Sequence, residues 1–199
     1  MYERFLSQNI DCTRQVADDD AFLAKYVDIA PKELITLWQE VGLGIFCNGL
    51  FRIINPADYQ EFVNQYYQRE YNEAAIPFMV TAFGDLFVYI KSSQKQLGNH
   101  IVFLNIRYGT FQIFTDNFNL LFNIFLFKND SLEFRYKLGL YPRIKEKLGV
   151  LQGDECFGYV PVLSAGGEET DEHIQVVEIF PYINMAAQFI GEFKRFEAR

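Results

Sequence analysis

Apolar positions along the chain switch from helical to strand-like spacing and back. Leu34, Leu37, Trp38 and Val41 fall at i, i+3, i+4 and i+7, one stripe of a helix. Pro31 fits its first turn, and Gly42 and Gly44 end it. Residues 45–54 (IFCNGLFRII) contain Asn48-Gly49, a turn signal beside a strand. Asn55-Pro56 then opens a second helix, Asn as cap and Pro at the first helical position, with Tyr59, Phe62, Val63, Tyr66 and Tyr67 on its buried face. The middle reads as strands. Residues 77–82 and 86–91 flank Phe83-Gly84-Asp85, a tight turn that glycine accommodates. Residues 101–106 and 110–114, joined by Arg107-Tyr108-Gly109, form a second hairpin. Asp116 is expected to cap a helix reaching Phe127, with Leu120, Leu121 and Ile124 as its stripe. A further helical stretch, broken or kinked at Pro142, covers 131–148. Phe157, Tyr159 and Val160 mark another strand, and 174–179 a short one. Pro181 opens a last helix with Ile183, Ala186, Ile190 and Phe193 on one face.

Hairpin connections dominate, and strands do not alternate regularly with crossover helices. The fold class is therefore α+β, a mainly antiparallel sheet flanked by helices. No Ser-, Pro- or Gly-rich linker divides the chain. One compact body is expected, with room for two subdomains meeting near residues 100–115.

Composition narrows the function. Half of the 199 residues are apolar and 17% are aromatic, which excludes a disordered chain. The net charge of −8 argues against a general phosphate-backbone binder, which needs a basic face. Cys12, Cys47 and Cys156 lie far apart without metal-ligand spacing, and read as reduced thiols of a cytosolic protein. The N-terminus lacks a basic leader followed by an apolar run, and the longest greasy stretch, residues 118–127, is too short to span a bilayer. A soluble intracellular protein is expected, with no membrane and no nucleic-acid partner.

The catalytic inventory is thin. His100 and His173 sit in polar and acidic loops and read as lone surface histidines. No cysteine stands in a nucleophile pairing with either. GLGIFCNG follows a helix rather than a strand and lacks GxGxxG spacing. GxSxG and Walker patterns are absent. Asp85 reads as a turn residue rather than a catalytic acid. No catalytic residue, cofactor or metal is expected.

Charge is more informative. Residues 151–180 hold Asp154, Glu155, Glu168, Glu169, Asp171, Glu172 and Glu178 and no Lys or Arg, so nearly the whole net charge lies in one segment. Its centre, SAGGEETDEH, reads as a flexible loop. Such a concentration either keeps a surface solvated or steers a basic partner onto it. Calcium is disfavoured because the EF-hand ligand pattern is missing. Asp18-Asp19-Asp20 is expected to cap and begin an early helix.

Two long runs carry a resemblance. LGVLQGDECFGYVPVLSAGG, followed by an acidic loop and a terminal helix, resembles the C-terminal domain of type VI secretion immunity proteins paired with DNase effectors. LITLWQEVGLGIFCNGLFRIINPADYQEF, followed by AIPFMVTAFGDLFVYI, resembles the GAD-like domain that precedes it in that family. The resemblance implies a GAD-like region over 1–110 and an immunity domain over 111–199. It implies a non-enzymatic cytoplasmic inhibitor that binds a cognate toxin, a nuclease, and occludes its basic DNA-binding surface. The alternative is a general interaction module, or immunity to a toxin of other chemistry. Glu168, Glu169, Asp171 and Glu172 are the expected contacts, with Asp154 and Glu155 as a second tier. Gly84, Asp85, Gly153, Phe157, Gly158, Pro161, Gly166 and Gly167 are read as turns and core, and Gly166-Gly167 as the turn that exposes the acids after it.

Overall fold

The computed structural model describes residues 1–7, 13–15, 20–67, 74–92, 98–128, 133 and 137–196. In chain order the elements are α1 (Glu3–Ser7), β1 (Thr13–Gln15), α2 (Asp20–Ala24), α3 (Lys32–Thr36), β2 (Leu43–Phe46), β3 (Phe51–Ile53), α4 (Pro56–Tyr66), β4 (Ala74–Thr81), β5 (Leu86–Lys91), β6 (His100–Asn105) and β7 (Thr110–Ile113). There follow α5 (Phe118–Asn123), α6 (Tyr141–Leu148), β8 (Glu155–Tyr159), β9 (Ile174–Glu178), α7 (Ile179–Ile190) and β10 (Lys194–Arg195). Eight strands form one sheet in the order β1-β2-β3-β4-β5-β6-β7-β10. Every pairing in it is antiparallel except β7–β10. β8 and β9 form a separate antiparallel hairpin. The architecture is α+β, as the pattern of hairpins predicts.

Helices cover both faces of the sheet. On one face Phe87, Tyr89, Ile101 and Phe103 pack with Leu34, Leu37, Trp38, Phe118, Leu121 and Phe122. On the other, Leu86, Val88, Ile90, Val102 and Leu104 pack under Tyr59, Phe62 and Val63 of α4 and Ile179, Ile183 and Ala186 of α7. This explains why β5 and β6 read as unbroken apolar runs instead of alternating: each strand is buried on both sides. Pro77 sits inside β4, where the β4–β5 register shifts between Pro77 and Met79, and a bulge accommodates the missing donor.

Several local expectations hold. The stripe Leu34, Leu37, Trp38 and Val41 is fully buried, in α3 and the π turn Leu37–Val41 that continues it. Asn55 caps α4, its side chain accepting from the Ala57 amide at 3.1 Å. Others are corrected. The cap of α5 is Asn117, which accepts from the Leu120 amide at 3.0 Å, and not Asp116. The buried face of α5 is Phe118, Leu121 and Phe122, while Leu120 and Ile124 are half-buried. Pro142 begins α6 instead of breaking a helix, because its ring fits the first turn, where its missing N–H has no helical partner to lose. Phe193 is buried beyond the end of α7, next to β10. Cys12, Asp18 and Asp19 lie outside the described residues, and α2 begins at Asp20. Cys156 is a buried free thiol, and burial pushes its pKa up. Among the described residues no helix is long and apolar enough to cross a membrane.

Asp85 needs the largest correction. It is no ordinary turn residue: it is fully buried and paired with the equally buried Arg107. Its Oδ2 accepts from Arg107 Nη2 at 2.7 Å and Nε at 2.9 Å. Its Oδ1 accepts the backbone amides of Ile106 at 2.9 Å and Arg107 at 3.3 Å. The guanidinium lies 4.5 Å from the Phe83 ring centroid and donates from Nη1 to the Lys137 carbonyl at 3.1 Å. Burial pushes the Asp85 carboxyl up, against the pull of the guanidinium and the two amides. The pair thus joins the β4–β5 turn, the β6–β7 turn and the segment leading to α6. Removing one partner strands the other charge without water, which costs about 3–5 kcal/mol. Asp85→Ala or Arg107→Ala is expected to lower unfolding free energy by about that amount in urea titrations at neutral pH. A loss under about 1 kcal/mol in both would show that the pair is not needed for the fold.

Candidate partner-binding surface

The acidic loop is built from the backbone outward. It leaves the β8–β9 hairpin after Tyr159 and returns at Ile174, and its base is closed by the Val160 amide donating to the His173 carbonyl at 2.8 Å. The Val162 carbonyl accepts from the amides of Ala165 at 3.0 Å and Gly167 at 3.1 Å. Gly166 adopts φ +89°, and a Cβ on Gly167 would lie 2.0 Å from the Pro161 carbonyl oxygen. These two positions require glycine for different reasons, one conformational and one steric. Ser164 Oγ donates to the Ala186 carbonyl of α7 at 3.0 Å, and Thr170 Oγ1 lies 2.8 Å from His173 Nδ1. The segment that reads as flexible is a compact loop of short-range hydrogen bonds.

Basic side chains from elsewhere reach it. Arg143 of α6 holds Asp171 with both fork nitrogens, at 2.5 and 3.0 Å, and Lys147 donates to the Asp171 carbonyl at 3.0 Å. Glu169 Oε1 accepts from Tyr108 Oη at 2.5 Å and lies 3.5 Å from Lys137 Nζ. Lys137 in turn sits 3.9 Å from the Tyr108 ring centroid. The linear count of charge in residues 151–180 therefore overstates the field at the surface, since Lys137, Arg143 and Lys147 offset it locally. Glu168 and Glu172 remain exposed. The two second-tier residues lie at the other end of the hairpin. Asp154 is exposed, 3.8 Å from Arg52, and Glu155 accepts from the Gln152 amide at 2.6 Å. The six acids thus fall into two groups at opposite ends of β8–β9.

The catalytic candidates do not assemble. His100 is buried on β6 and not on a surface loop, its Nδ1 3.0 Å from the Gly98 carbonyl oxygen. His173 is spent on Thr170 within the loop. Among the described residues no group of three or more His, Cys, Asp or Glu is placed to hold a metal. What sequence reasoning missed is the basic half of the surface. Lys137, Arg143 and Lys147 stand outside the acidic segment, and the one available signal is the four-residue spacing that puts Arg143 and Lys147 on one face of α6.

Comparisons with known proteins bear on the chain's domains and fold. Residues 1–103 match the GAD-like domain, and residues 117–190 match the C-terminal domain of the type VI secretion immunity protein Tdi1. No curated protein matches the chain. Among solved structures, the crystal structure of Atu4351 from Agrobacterium tumefaciens is similar over 94% of this chain and 89% of its own, at 18% identity and a TM-score of 0.68. At that identity the likeness shows the fold.

The Asp171 carboxyl is held below its ordinary value, first by the hydrogen bond from Arg143. The sign follows: a depressed folded value means the tie is fully present above the ordinary carboxylate value of about 4 and is lost as pH falls through the lower folded value. An NMR titration is expected to place Asp171 below ordinary aspartates, and Arg143→Ala to return it to their range. An unchanged titration in that variant would show that Arg143 does not hold the loop.

Proposed function

The chain belongs to the GAD-like family and carries the Tdi1 immunity domain after it, and from that premise we propose that it is a type VI secretion immunity protein. It binds a cognate antibacterial effector in the cytoplasm and blocks it without performing a reaction. The observation that carries this reading is the match of both segments, in order, within one body whose core is continuous across them. Chemistry supports a nuclease as the toxin. A DNase must present a basic surface to phosphates, and an acidic protein competes for that surface by charge. Glu168 and Glu172 are the acids outside the ion pairs that could do so, Glu172 tied only to Thr170 and its own amide, with Glu169 and Asp171 fixing the loop that presents them. One observation favours the alternative of a toxin with other chemistry. Three cations already offset most of the loop's four acids, so shape rather than charge would then carry recognition.

The test is direct. The effector encoded beside this gene, co-expressed with the chain, is expected to form a complex that survives gel filtration, and cells carrying both are expected to live while cells carrying the effector alone die. Glu168→Lys with Glu172→Lys leaves the internal ion pairs intact. That variant is expected to weaken association by about tenfold at low salt and less at high salt. Full protection and unchanged affinity in it would remove the loop from the interface.

A further inference from the structure

Between α4 and the turn before β8, an open cleft of 680 Å³ lies over β2 and β3. Its lining draws on both matched segments: β2, β3 and α4 from the first, Gly153, Asp154 and Phe180 from the second. Tyr59 and Phe180 form an aromatic pair on its wall, ring centroids 4.9 Å apart. Its charged groups are Arg52, Asp58 and Asp154. Arg52 is engaged, Nη2 donating to the Glu155 carbonyl at 3.2 Å and Nη1 3.8 Å from Asp154. Asp58 forms no ion pair among the described residues. Its carboxyl, exposed but partly stripped of water at the cleft edge, is pushed up first by that desolvation and then by the charge of Asp154. The cleft therefore holds two carboxylates and one guanidinium, which lies against Asp154 alone, beside a pair of rings, and it lacks one positive charge.

We propose that this cleft receives an arginine side chain of the toxin, its guanidinium held by Asp58 and Asp154 against the Tyr59–Phe180 pair. The proposal rests on the immunity reading above and names the contact. Arginine suits the cleft better than lysine. Its planar, weakly hydrated head forks onto carboxylates and stacks on rings, whereas an ammonium keeps its water. A nuclease offers such side chains because arginine grips phosphate in two-pronged fashion. An arginine drawn into the cleft is withdrawn from the DNA. Four charged groups, two of each sign, then balance where three stood before.

The experiment titrates the chain with a catalytically inactivated nuclease domain of the effector encoded beside this gene, by calorimetry at low and high salt. Asp58 is exposed, so its variants are expected to fold, which their melting curves check. Asp58→Lys is expected to weaken binding by about tenfold or more at low salt, Asp58→Asn less, and Glu61→Lys, outside the cleft on the same helix, not at all. One arginine-to-glutamate change in the toxin is expected to restore binding to Asp58→Lys. Wild-type affinity in both Asp58 variants overturns the cleft and leaves the immunity reading standing. Rescue only by a lysine-to-glutamate change overturns the arginine assignment. No binding by the wild-type chain sinks the immunity reading, and the cleft proposal with it.

Discussion

A carboxylate and a guanidinium sealed from water tie three distant parts of this chain together. Taking either ion of Asp85 and Arg107 out of water alone costs several kcal/mol, so the pair is tolerable only when every partner is in place. Those partners are two amides of the β6–β7 turn, the Phe83 ring of the β4–β5 turn and the carbonyl of Lys137. The demand for complete satisfaction converts a local polar contact into a requirement on tertiary structure. At the same β4–β5 turn the Ala82 carbonyl accepts from the Phe157 amide at 2.7 Å, which docks the β8–β9 hairpin against the large sheet. Lys137 also carries the ion pair to Glu169, so the acidic loop stands one residue away from the buried pair.

Glycines complete the seam between sheet and C-terminal helix. A Cβ on Gly158 would lie 2.5 Å from the Tyr182 ring, and Tyr182 Oη accepts from the Tyr159 amide at 3.2 Å. The helix α7 therefore rests directly on the backbone of β8. Gly109, at φ +64°, leaves the corresponding space for Ile190 at the other end of the helix. The two matched segments share one interior as a result, and a cleft at their seam is built by both.

Much of this was legible in the sequence wherever the determining partner lies within a few residues. The Asn55-Pro56 start of α4 is such a case, since cap and capped amide are two residues apart. The stripe from Leu34 to Val41 is another. Pro142 was ambiguous because the same ring that breaks a helix from within starts one at its edge. The buried pair was illegible because Asp85 and Arg107 are 22 residues apart and each alone resembles an ordinary turn residue. His100 misled for the same reason: its polar neighbours suggest a loop, while the β5–β6 register carries it inside. For the site, the six acids could be found by counting. The pairing of Glu169 with Lys137 and of Asp171 with Arg143 and Lys147 could not, because charge adds in space and not along a chain.

The ion pairs that subtract from the loop's field also remove its freedom to move. On the proposed reading, a partner docking there would meet a backbone and two carboxylates, Glu169 and Asp171, already fixed by Tyr108, Arg143 and the hydrogen-bonded base of the loop. Little rotational entropy is left to lose on contact. Steering by unmatched charge governs how fast two proteins meet, whereas a surface set in advance governs how long they stay. A loop that mutes its own charge to gain rigidity would, on the proposed reading, favour long residence over rapid capture.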